Sequence, residues 1–193
     1  NLRCGVQSTT VNKVWPGSIV GFSVQLAESL STRYEEGRGI VIEDQVTYPI
    51  RVEPKLDGLR CVAVKHGGEV TMFTRNGNVL ETLPRIKSML ENVPWDDFVL
   101  DGEALGADWN ESASVVMSHK KGKDDSNMIF HVFDALPFSD WRDQESTLDL
   151  ESRVELVSEL VGKVGNPAVV QVPGRLVKNE AELLEVYLTD TDA

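Results

Sequence analysis

The chain has 193 residues, of which 41% are hydrophobic and 26% are charged, and its formal net charge is −12. This length and composition predict a globular domain large enough to bury a proper core. No apolar run approaches the length of a membrane span and no leader segment is visible, which predicts a cytoplasmic protein with no membrane partner. The acidic charge argues against a free-standing nucleic-acid binder, because such proteins present Lys and Arg to phosphates.

The first half of the chain is predicted to be rich in strands. Residues 1–45 carry scattered turn signals and are expected to lead into a domain that begins at residue 46. Strands joined by Gly-containing turns are predicted next, at residues 50–55, 59–66 and 69–75. Pro54 restricts the first of them to a sheet edge, and Asn76-Gly77 predicts a tight turn after the last. Together they predict an antiparallel meander.

The second half mixes helices with strands. Apolar residues at helical spacing predict helices at residues 83–93, 150–164 and 180–188. Apolar runs predict strands at residues 97–105, 128–136 and 168–172. The lysine-rich stretch 118–127 predicts a mobile polar loop whose charges are solvated. This order predicts an α+β domain built on antiparallel sheets with flanking helices.

Cysteine and histidine are scarce in this chain. Cys4 and Cys61 are too few for a disulfide framework and are typical of a reducing, cytosolic setting. The histidines and cysteines show no metal-ligand spacing. Cys61, His66 and His131 are therefore expected to be structural.

The segment Lys55-Leu56-Asp57-Gly58-Leu59-Arg60 is the most informative part of the sequence. Its Asp57-Gly58 pair would suit the two-residue turn of an ordinary β-hairpin. Glu53 precedes Lys55 by two residues, so both side chains are expected on one face of an extended strand. A lysine held between an acid and an arginine can also act as a nucleophile toward phosphorus. Both interpretations fit this segment.

Further segments follow in a set order: Thr74-Arg75-Asn76-Gly77, Val99-Leu100-Asp101-Gly102-Glu103 and Val132-Phe133-Asp134. With the K-x-D-G-x-R segment, this order resembles the covalent nucleotidyltransferases and, among them, the phage-type ATP-dependent DNA ligases. Residues 1–6 and 11–17 are similar to the part that precedes the adenylation domain in those ligases. The resemblance implies a nucleotidyltransferase (ATP-grasp-like) adenylation domain that is incomplete at its C-terminal end, with residues 46–193 as its N-terminal portion.

The chemistry that this resemblance implies is ligation in three steps. Lys55 attacks the α-phosphorus of ATP, with Mg²⁺ as cofactor, and forms a lysyl-AMP. AMP then passes to the 5′-phosphate at a nick in duplex DNA, and the 3′-hydroxyl displaces it. Lys55 must be neutral to attack, which burial and nearby cations such as Arg60 would favour. The enzyme is expected to act as a monomer.

The resemblance also implies how the nucleotide is held. Glu53 is expected to recognise the adenine amino group, and Phe133 is expected to stack on the base. Arg60 is expected to hold the ribose or the phosphate at the nick, because a guanidinium fork suits pairs of oxygen atoms. Phe133 could equally be an ordinary core aromatic.

Other site residues follow from the same resemblance. Glu103 is expected to contact the ribose or to help place the metal, with Asp101 as a second candidate ligand. Arg75 is expected to contact a DNA phosphate. Asp57 and Gly58 are expected to orient the lysine loop. Asp101 could instead be a polar strand end, and Arg75 precedes a turn that a hairpin alone would explain.

The chain also departs from the ligase pattern. Two later motifs, an E-G-apolar-apolar-K strand and a K-x-K strand, are absent, as are an OB-fold domain and an N-terminal DNA-binding domain. The first residue is not methionine, and the sequence stops about where the first missing motif should begin. The 193 residues are therefore expected to be a fragment with weak activity or none on its own. The missing lysine-rich parts would explain the acidic charge.

Several alternatives stay open at this stage. NAD-dependent ligases share the K-x-D-G lysine, but Arg60 and residues 12–17 favour ATP. RNA ligases and capping enzymes share the lysine and match the upstream segment less well. A non-catalytic interaction module that kept the fold would suit the missing motifs. A glycoside hydrolase using Asp101 and Glu103 fits poorly, because carboxylates two residues apart on one strand would not flank a sugar.

Overall fold

The computed structural model of the protein describes residues 13–14, 22, 24–26, 29–118 and 124–190. Apart from residues 13–14, the two N-terminal segments used for the resemblance lie outside the described residues. Residues 119–123 of the lysine-rich stretch and residues 191–193 also lie outside them. Within the described residues, no helix combines the length and the apolar character that crossing a bilayer requires.

Strands predominate in the first part of the described chain, and helices and strands are mixed in the second part. In order they are β1 Thr32–Glu35, β2 Gly39–Ile42, β3 Ile50–Val52, β4 Leu59–His66, β5 Glu69–Thr74, β6 Val79–Leu80, α1 Pro84–Glu91, β7 Phe98–Leu105, α2 Trp109–Val116, β8 Ile129–Pro137, α3 Phe138–Asp143, α4 Leu150–Val164, β9 Val169–Gln171, β10 Arg175–Val177 and α5 Glu180–Asp190.

The largest sheet has six strands in the order β6-β5-β4-β7-β8-β9. Neighbouring strands are antiparallel except β8 and β9, which run parallel. β1 pairs with β2, and β3 pairs with β10, in separate two-stranded sheets. The predicted α+β fold on mainly antiparallel sheet is confirmed.

The two faces of the large sheet carry different side chains because successive residues of a strand point to opposite sides. On β4, Cys61 and Ala63 face the main core, which α1, α2 and α4 cover. Arg60, Val62 and Val64 face the other side. That second face is apolar at its centre, where partly buried aromatic and aliphatic residues pack: Phe22, Val24, Phe73, Leu136, Phe138 and Trp141.

Helix α4 spans the predicted residues 150–164. Asp149 begins it, because its side chain accepts a hydrogen bond from the Ser152 N–H at 2.9 Å. Gly165 ends it in the left-handed conformation, with φ of +59°. The buried centre of the helix is Val157 and Leu160, whereas Leu150 is exposed. The predicted helix is therefore confirmed.

The predicted meander is wrong in its first strand. β3 ends at Val52 and pairs with β10, not with β4. Glu53 and Lys55 therefore lie in a connecting segment instead of an extended strand. The hairpin interpretation of Asp57-Gly58 is wrong for the same reason. Pro54 has no N–H to donate to a neighbouring strand, which helps to explain why the pairing stops before it.

Some elements were not predicted, because their sequences lack a long apolar pattern. The hairpin of β1 and β2 falls within the first 45 residues, where only turn signals were noted. Its strands carry charged residues such as Arg33 and Glu35, and none of its side chains is fully buried. Helices α2 and α3 are only eight and six residues long. Short elements give too few repeats for periodicity to identify them.

A buried lysine closes the C-terminal end of α1. Lys65 is only 4% exposed, and its Nζ donates to the carbonyl oxygens of Glu91 at 3.1 Å and Val93 at 2.6 Å. These bonds satisfy carbonyl groups at and just beyond the helix end. The positive charge also complements the helix dipole there. Lys65 thus fastens α1 to β4.

The N-terminal end of α1 depends on a residue from the lysine-rich stretch. Leu83 precedes the helix and offers no side-chain cap. Asp125 supplies one instead, because its Oδ2 accepts from the Arg85 N–H at 2.9 Å. Asp125 is 6% exposed. The prediction that residues 118–127 are solvated is therefore wrong for Asp125, which the free N–H groups of α1 hold in the interior.

We expect Asp125→Ala to lower the free energy of unfolding by about 1–2 kcal/mol, because it removes the cap of α1 and leaves a buried N–H without a partner. Urea unfolding would measure the loss. Asp124→Ala is the matched control, since Asp124 is exposed and its Oδ1 accepts from the Ser126 N–H in its own turn. Equal losses in both variants would show that Asp125 does not cap the helix.

Candidate active site

The candidate site lies at one end of the second face of the sheet, across strands β4, β7 and β8. The register places Arg60 opposite Glu103 and Glu103 opposite His131, so these side chains lie next to one another on three adjacent strands. Between β7 and β8 the register shifts, and Phe133 is the extra residue on β8. A bulge of this kind turns a side chain out of the regular alternation.

Arg60 is the most highly connected side chain of the site. Its Nε and Nη2 donate to the two carboxylate oxygens of Asp101 at 3.0 and 2.7 Å, and its Nη1 donates to the Gln25 carbonyl at 2.6 Å. Its Cζ lies 5.1 Å from the centre of the Phe133 ring. The hydrogen bond to Asp101 raises the pKa of Arg60. The structure thus joins Arg60, Asp101 and Phe133.

Glu103 lies beside the lysine loop. Its carboxylate is close enough to the Gly58 N–H, to Lys55 and to Arg60 for each of them to act on it. Burial raises the pKa of Glu103, against the opposing effects of the Gly58 N–H and of those two charges. Burial likewise raises the pKa of Asp101, although Arg60 acts in the opposite direction. Lys55 itself is exposed.

Gly58 permits the close approach of the lysine loop to β7. A Cβ on Gly58 would lie 2.8 Å from the Ala104 carbonyl oxygen, from Cγ of Glu103 and from a methyl group of Leu105. No side chain larger than hydrogen fits there without displacing β7. The predicted orienting role of Gly58 thus has a steric basis. Asp57, the other residue predicted for that role, is exposed.

Two predicted residues have contacts other than those of this cluster. Glu53 follows β3, and its Oε1 accepts from Nε of Arg51 at 2.6 Å. Arg75 is exposed in the turn after β5, where the Gly77 N–H donates to the Thr74 carbonyl at 2.9 Å. Within the described chain Arg75 forms no ion pair. The predicted contact of Arg75 with DNA stays a prediction.

The residues predicted to be structural have different environments. Cys61 is fully buried, and burial raises the pKa of its thiol. His66 pairs with Asp97 at 2.5 Å and stacks on Phe138, with the ring centres 4.2 Å apart. His131 is half-buried beside Glu103, and burial lowers its pKa. The pairing of His131 with Glu103 in the strand register places His131 at the edge of the candidate site.

The ion pair that joins β8 to α4 was not predicted from the sequence. The Asp134 Oδ1 accepts from Nε of Arg153 on α4 at 2.8 Å, and Nη1 of Arg153 donates to the Leu148 carbonyl at 3.0 Å. This pair ties the strand that carries Phe133 to α4. In the sequence, the only indication that Arg153 lies near the sheet is that it adjoins Val154, an apolar position of the helix, and this indication is weak. The Gln25 carbonyl has no signal at all, because every residue has a carbonyl group.

The described residues do not assemble a magnesium site. Among them there is no group of three or more His, Cys, Asp or Glu side chains placed to hold a metal ion. Both oxygens of Asp101 already accept from Arg60. Asp101 therefore does not fit its predicted role as a ligand in this conformation, and Glu103 alone is too few. No step proposed below depends on the ion.

The α+β fold, with its lysine loop placed against a D-G-E strand, is that of the adenylation domain of ATP-dependent ligases. The family model described as "ATP dependent DNA ligase domain" matches residues 26–191, and the chain belongs to this family. The family resemblance inferred from the motifs is confirmed.

Curated relatives agree with this assignment. The DNA ligase of Enterobacteria phage T4 is 26% identical over 147 residues, which cover 71% of this chain and 26% of that protein. A probable DNA ligase of Pseudarthrobacter chlorophenolicus is 37% identical over 75 residues, which cover 37% of this chain and 15% of that protein. The chain thus spans about a quarter of the phage protein and 15% of the bacterial one.

Solved structures show the same fold. The structure named Pmar-Lig_PreS3 superimposes with a TM-score of 0.66 at 25% identity, covering 74% of this chain and 35% of the other. The ATP-dependent DNA ligase from bacteriophage T7, solved in complex with ATP, gives a TM-score of 0.56 at 17% identity. That match covers 70% of this chain and 51% of the T7 chain, and it supports the fold alone.

The raised pKa of Glu103 predicts how stability depends on pH. A carboxyl whose pKa is higher in the folded than in the unfolded state favours folding while it is protonated, and this contribution is lost as pH rises. We therefore expect the free energy of unfolding of the unaltered chain to fall, relative to Glu103→Gln, as pH rises above the ordinary value of 4.5. Urea unfolding at several pH values would measure this difference.

Glu155→Gln on the exposed face of α4 controls for the loss of one carboxylate from an acidic chain. If the free energy of unfolding of the unaltered chain stays constant relative to Glu103→Gln, or rises relative to it as pH rises, the burial of Glu103 is contradicted.

Proposed function

We propose that this chain is the adenylating part of an ATP-dependent DNA ligase, in which Lys55 receives AMP from ATP. Membership of the ligase family supports the reaction, and the position of the lysine loop against Glu103 supports the nucleophile. The observation that carries the proposal is the close approach of Gly58 to β7, where a Cβ would lie 2.8 Å from the Ala104 carbonyl oxygen and from Cγ of Glu103. This approach holds the loop of Lys55 at the strand that bears the D-G-E motif.

In the first step Nζ of Lys55 attacks the α-phosphorus of ATP. A nitrogen–phosphorus bond forms, the bond from that phosphorus to the pyrophosphate oxygen breaks, and Nζ loses a proton. Pyrophosphate leaves and lysyl-AMP remains. In this proposal Glu103, which lies close to Lys55 and Arg60, contacts the ribose, and Arg60 holds the ribose or the phosphate at the nick.

The base is held by two residues outside the lysine loop in this proposal. Glu53 accepts a hydrogen bond from the 6-amino group of adenine. Phe133 stacks on the ring system. The Arg60 guanidinium lies over the ring of Phe133, so the surface offered to adenine is the opposite face of the phenyl ring. The bulge at Phe133 orients that face.

The later steps act on nicked duplex DNA. AMP passes from Lys55 to the 5′-phosphate, and the 3′-hydroxyl then displaces AMP and closes the backbone. With a net charge of −12, this chain must rely on local cations to approach phosphates, and the exposed Arg75 is the candidate. We propose a monomer that acts in the cytoplasm on ATP supplied with Mg²⁺.

We expect Lys55→Ala to abolish the AMP adduct without unfolding the protein, because the exposed lysine supplies the bonded nitrogen and little packing. Intact mass of the protein after incubation with MgATP would detect the adduct, and peptide mapping would locate it. Parallel incubations with GTP and NAD would distinguish a capping enzyme or an NAD-dependent ligase from an ATP-dependent one.

Lys87→Ala is the matched control, because Lys87 is an exposed lysine on α1 that pairs with Glu91. Its adduct should equal that of the unaltered chain. An adduct that persists in Lys55→Ala would refute the assignment of the nucleophile. Binding of a protein partner without any nucleotide adduct would favour the interaction module instead.

We expect Phe133→Ala to weaken ATP binding by more than it lowers stability. A base stacked on an aromatic ring contributes about 1–3 kcal/mol, whereas Phe133 is only half-buried in the protein. Calorimetric titration with ATP and thermal unfolding would measure the two effects. Trp109→Ala removes an aromatic side chain that is 50% exposed and serves as the control. A collapse of the fold in Phe133→Ala would assign the ring to the core.

A further inference from the structure

The small sheet of β3 and β10 contains an arginine that the proposed mechanism does not use. Arg51 lies two residues before Glu53, and its Nε donates to the Glu53 Oε1 at 2.6 Å. Only 19% of the Arg51 side chain and 27% of the Glu53 side chain are exposed. An ion pair this enclosed is screened by salt less than a pair on the open surface.

The guanidinium of Arg51 also packs closely against Gly174. Gly174 directly precedes β10, and Leu176 in β10 lies opposite Arg51 in the register. A Cβ on Gly174 would collide with Cζ, Nε and Nη2 of Arg51. Gly174 is not among the glycines with positive φ, so its backbone conformation does not require glycine. Glycine fits this position because the lack of a side chain leaves room for the Arg51 guanidinium.

This contact determines which part of Glu53 is available to a ligand. Oε1 is engaged by Arg51, and within the described residues no group donates to Oε2 of Glu53. An ionised carboxylate oxygen only accepts hydrogen bonds, so it attracts an amino group and repels a carbonyl oxygen. Position 6 of a purine carries an amino group in adenine and a carbonyl oxygen in guanine and hypoxanthine.

We propose that Arg51 is a positioning residue that orients Glu53 toward the 6-amino group of the base, so that selectivity for ATP over 6-oxopurine nucleotides depends on Arg51. This inference rests on the proposed function, in which Glu53 contacts adenine. Arg51 acts through Glu53 and does not touch the nucleotide. The contact with Gly174 couples this selectivity to the pairing of β3 with β10.

The test compares equilibrium binding of ATP and inosine triphosphate, whose bases differ at the purine 6-position, by calorimetric titration. We expect the unaltered chain to bind ATP more tightly. Arg51→Met should reduce the ratio of the two affinities on the order of tenfold, because the loss of one charge-assisted hydrogen bond has about that effect. The loss should fall on ATP. Arg51→Lys keeps a cation and should restore most of the ratio.

Two further variants separate positioning from general damage. Gly174→Ala displaces the guanidinium without removing it and should lower the ratio in the same direction. Arg175→Met removes the neighbouring arginine of β10, which is exposed and lies 3.7 Å from Glu185, and should leave the ratio unchanged. Thermal unfolding of each variant shows that the fold is retained.

A double-mutant cycle tests whether Arg51 acts through Glu53. In the Glu53→Gln background, Arg51→Met should cause no further loss of selectivity. Additive losses, or an unchanged ratio in Arg51→Met alone, would overturn the inference. Equal binding of both nucleotides by the unaltered chain would also overturn it, while an AMP adduct on Lys55 in that sample would leave the proposed function intact. No binding of either nucleotide would overturn both.

Discussion

The paired hydrogen bonds between Arg60 and Asp101 are the constraint on which the candidate site depends. They join β4 to β7 on a sheet face whose centre is apolar, and each side chain is less than a fifth exposed. Loss of one partner from a buried pair costs about 3–5 kcal/mol, because the remaining charge is poorly solvated. The same guanidinium contacts the Phe133 ring and the Gln25 carbonyl. One side chain thus fixes the relative positions of β4, β7, β8 and the segment around Gln25.

Close backbone approach is the second requirement, and both Asp-Gly pairs of the sequence provide it. A Cβ on Gly58 would strike β7, and a Cβ on Gly102 would strike the His131 carbonyl and the Phe130 ring on β8. These glycines have ordinary φ values, so they are needed for space and not for a turn. The acids beside them differ in role, since Asp101 binds Arg60 whereas Asp57 is exposed.

Local features were predictable from sequence, and long-range pairing was not. Strand 59–66 and helix 150–164 have the predicted bounds, because side-chain periodicity is a local property. The partner of β3 depends on residues 175–177, far along the chain, and nothing in residues 50–55 indicates it. The burial of Asp125 likewise depends on unpaired N–H groups of α1. The motifs indicated one site for four residues that the structure has on the adjacent strands β4, β7 and β8: Arg60, Asp101, Glu103 and Phe133. The motifs could not show which hydrogen-bond partners these side chains have.

The pairing of charges around the site explains how an acidic chain could accept an anionic nucleotide. Besides the exposed Asp57 in the lysine loop itself, the acids around the site are Glu53, Asp101, Glu103 and Asp134. Three of them accept hydrogen bonds from arginines, in the pairs Arg51–Glu53, Arg60–Asp101 and Arg153–Asp134. Each pair is close to neutral, so it neither repels a triphosphate nor attracts one strongly.

Glu103 is the remaining member of this set, and its environment differs from that of the others. It lies close to Lys55 and to the Gly58 N–H, and burial makes its charged form less favourable. The repulsion that an incoming phosphate would meet is therefore concentrated at Glu103 and at the exposed Asp57 of the lysine loop. Elsewhere in the site the arginines cancel the local excess of acid. A net charge of −12 on the chain is thus compatible with a nucleotide site that is nearly neutral.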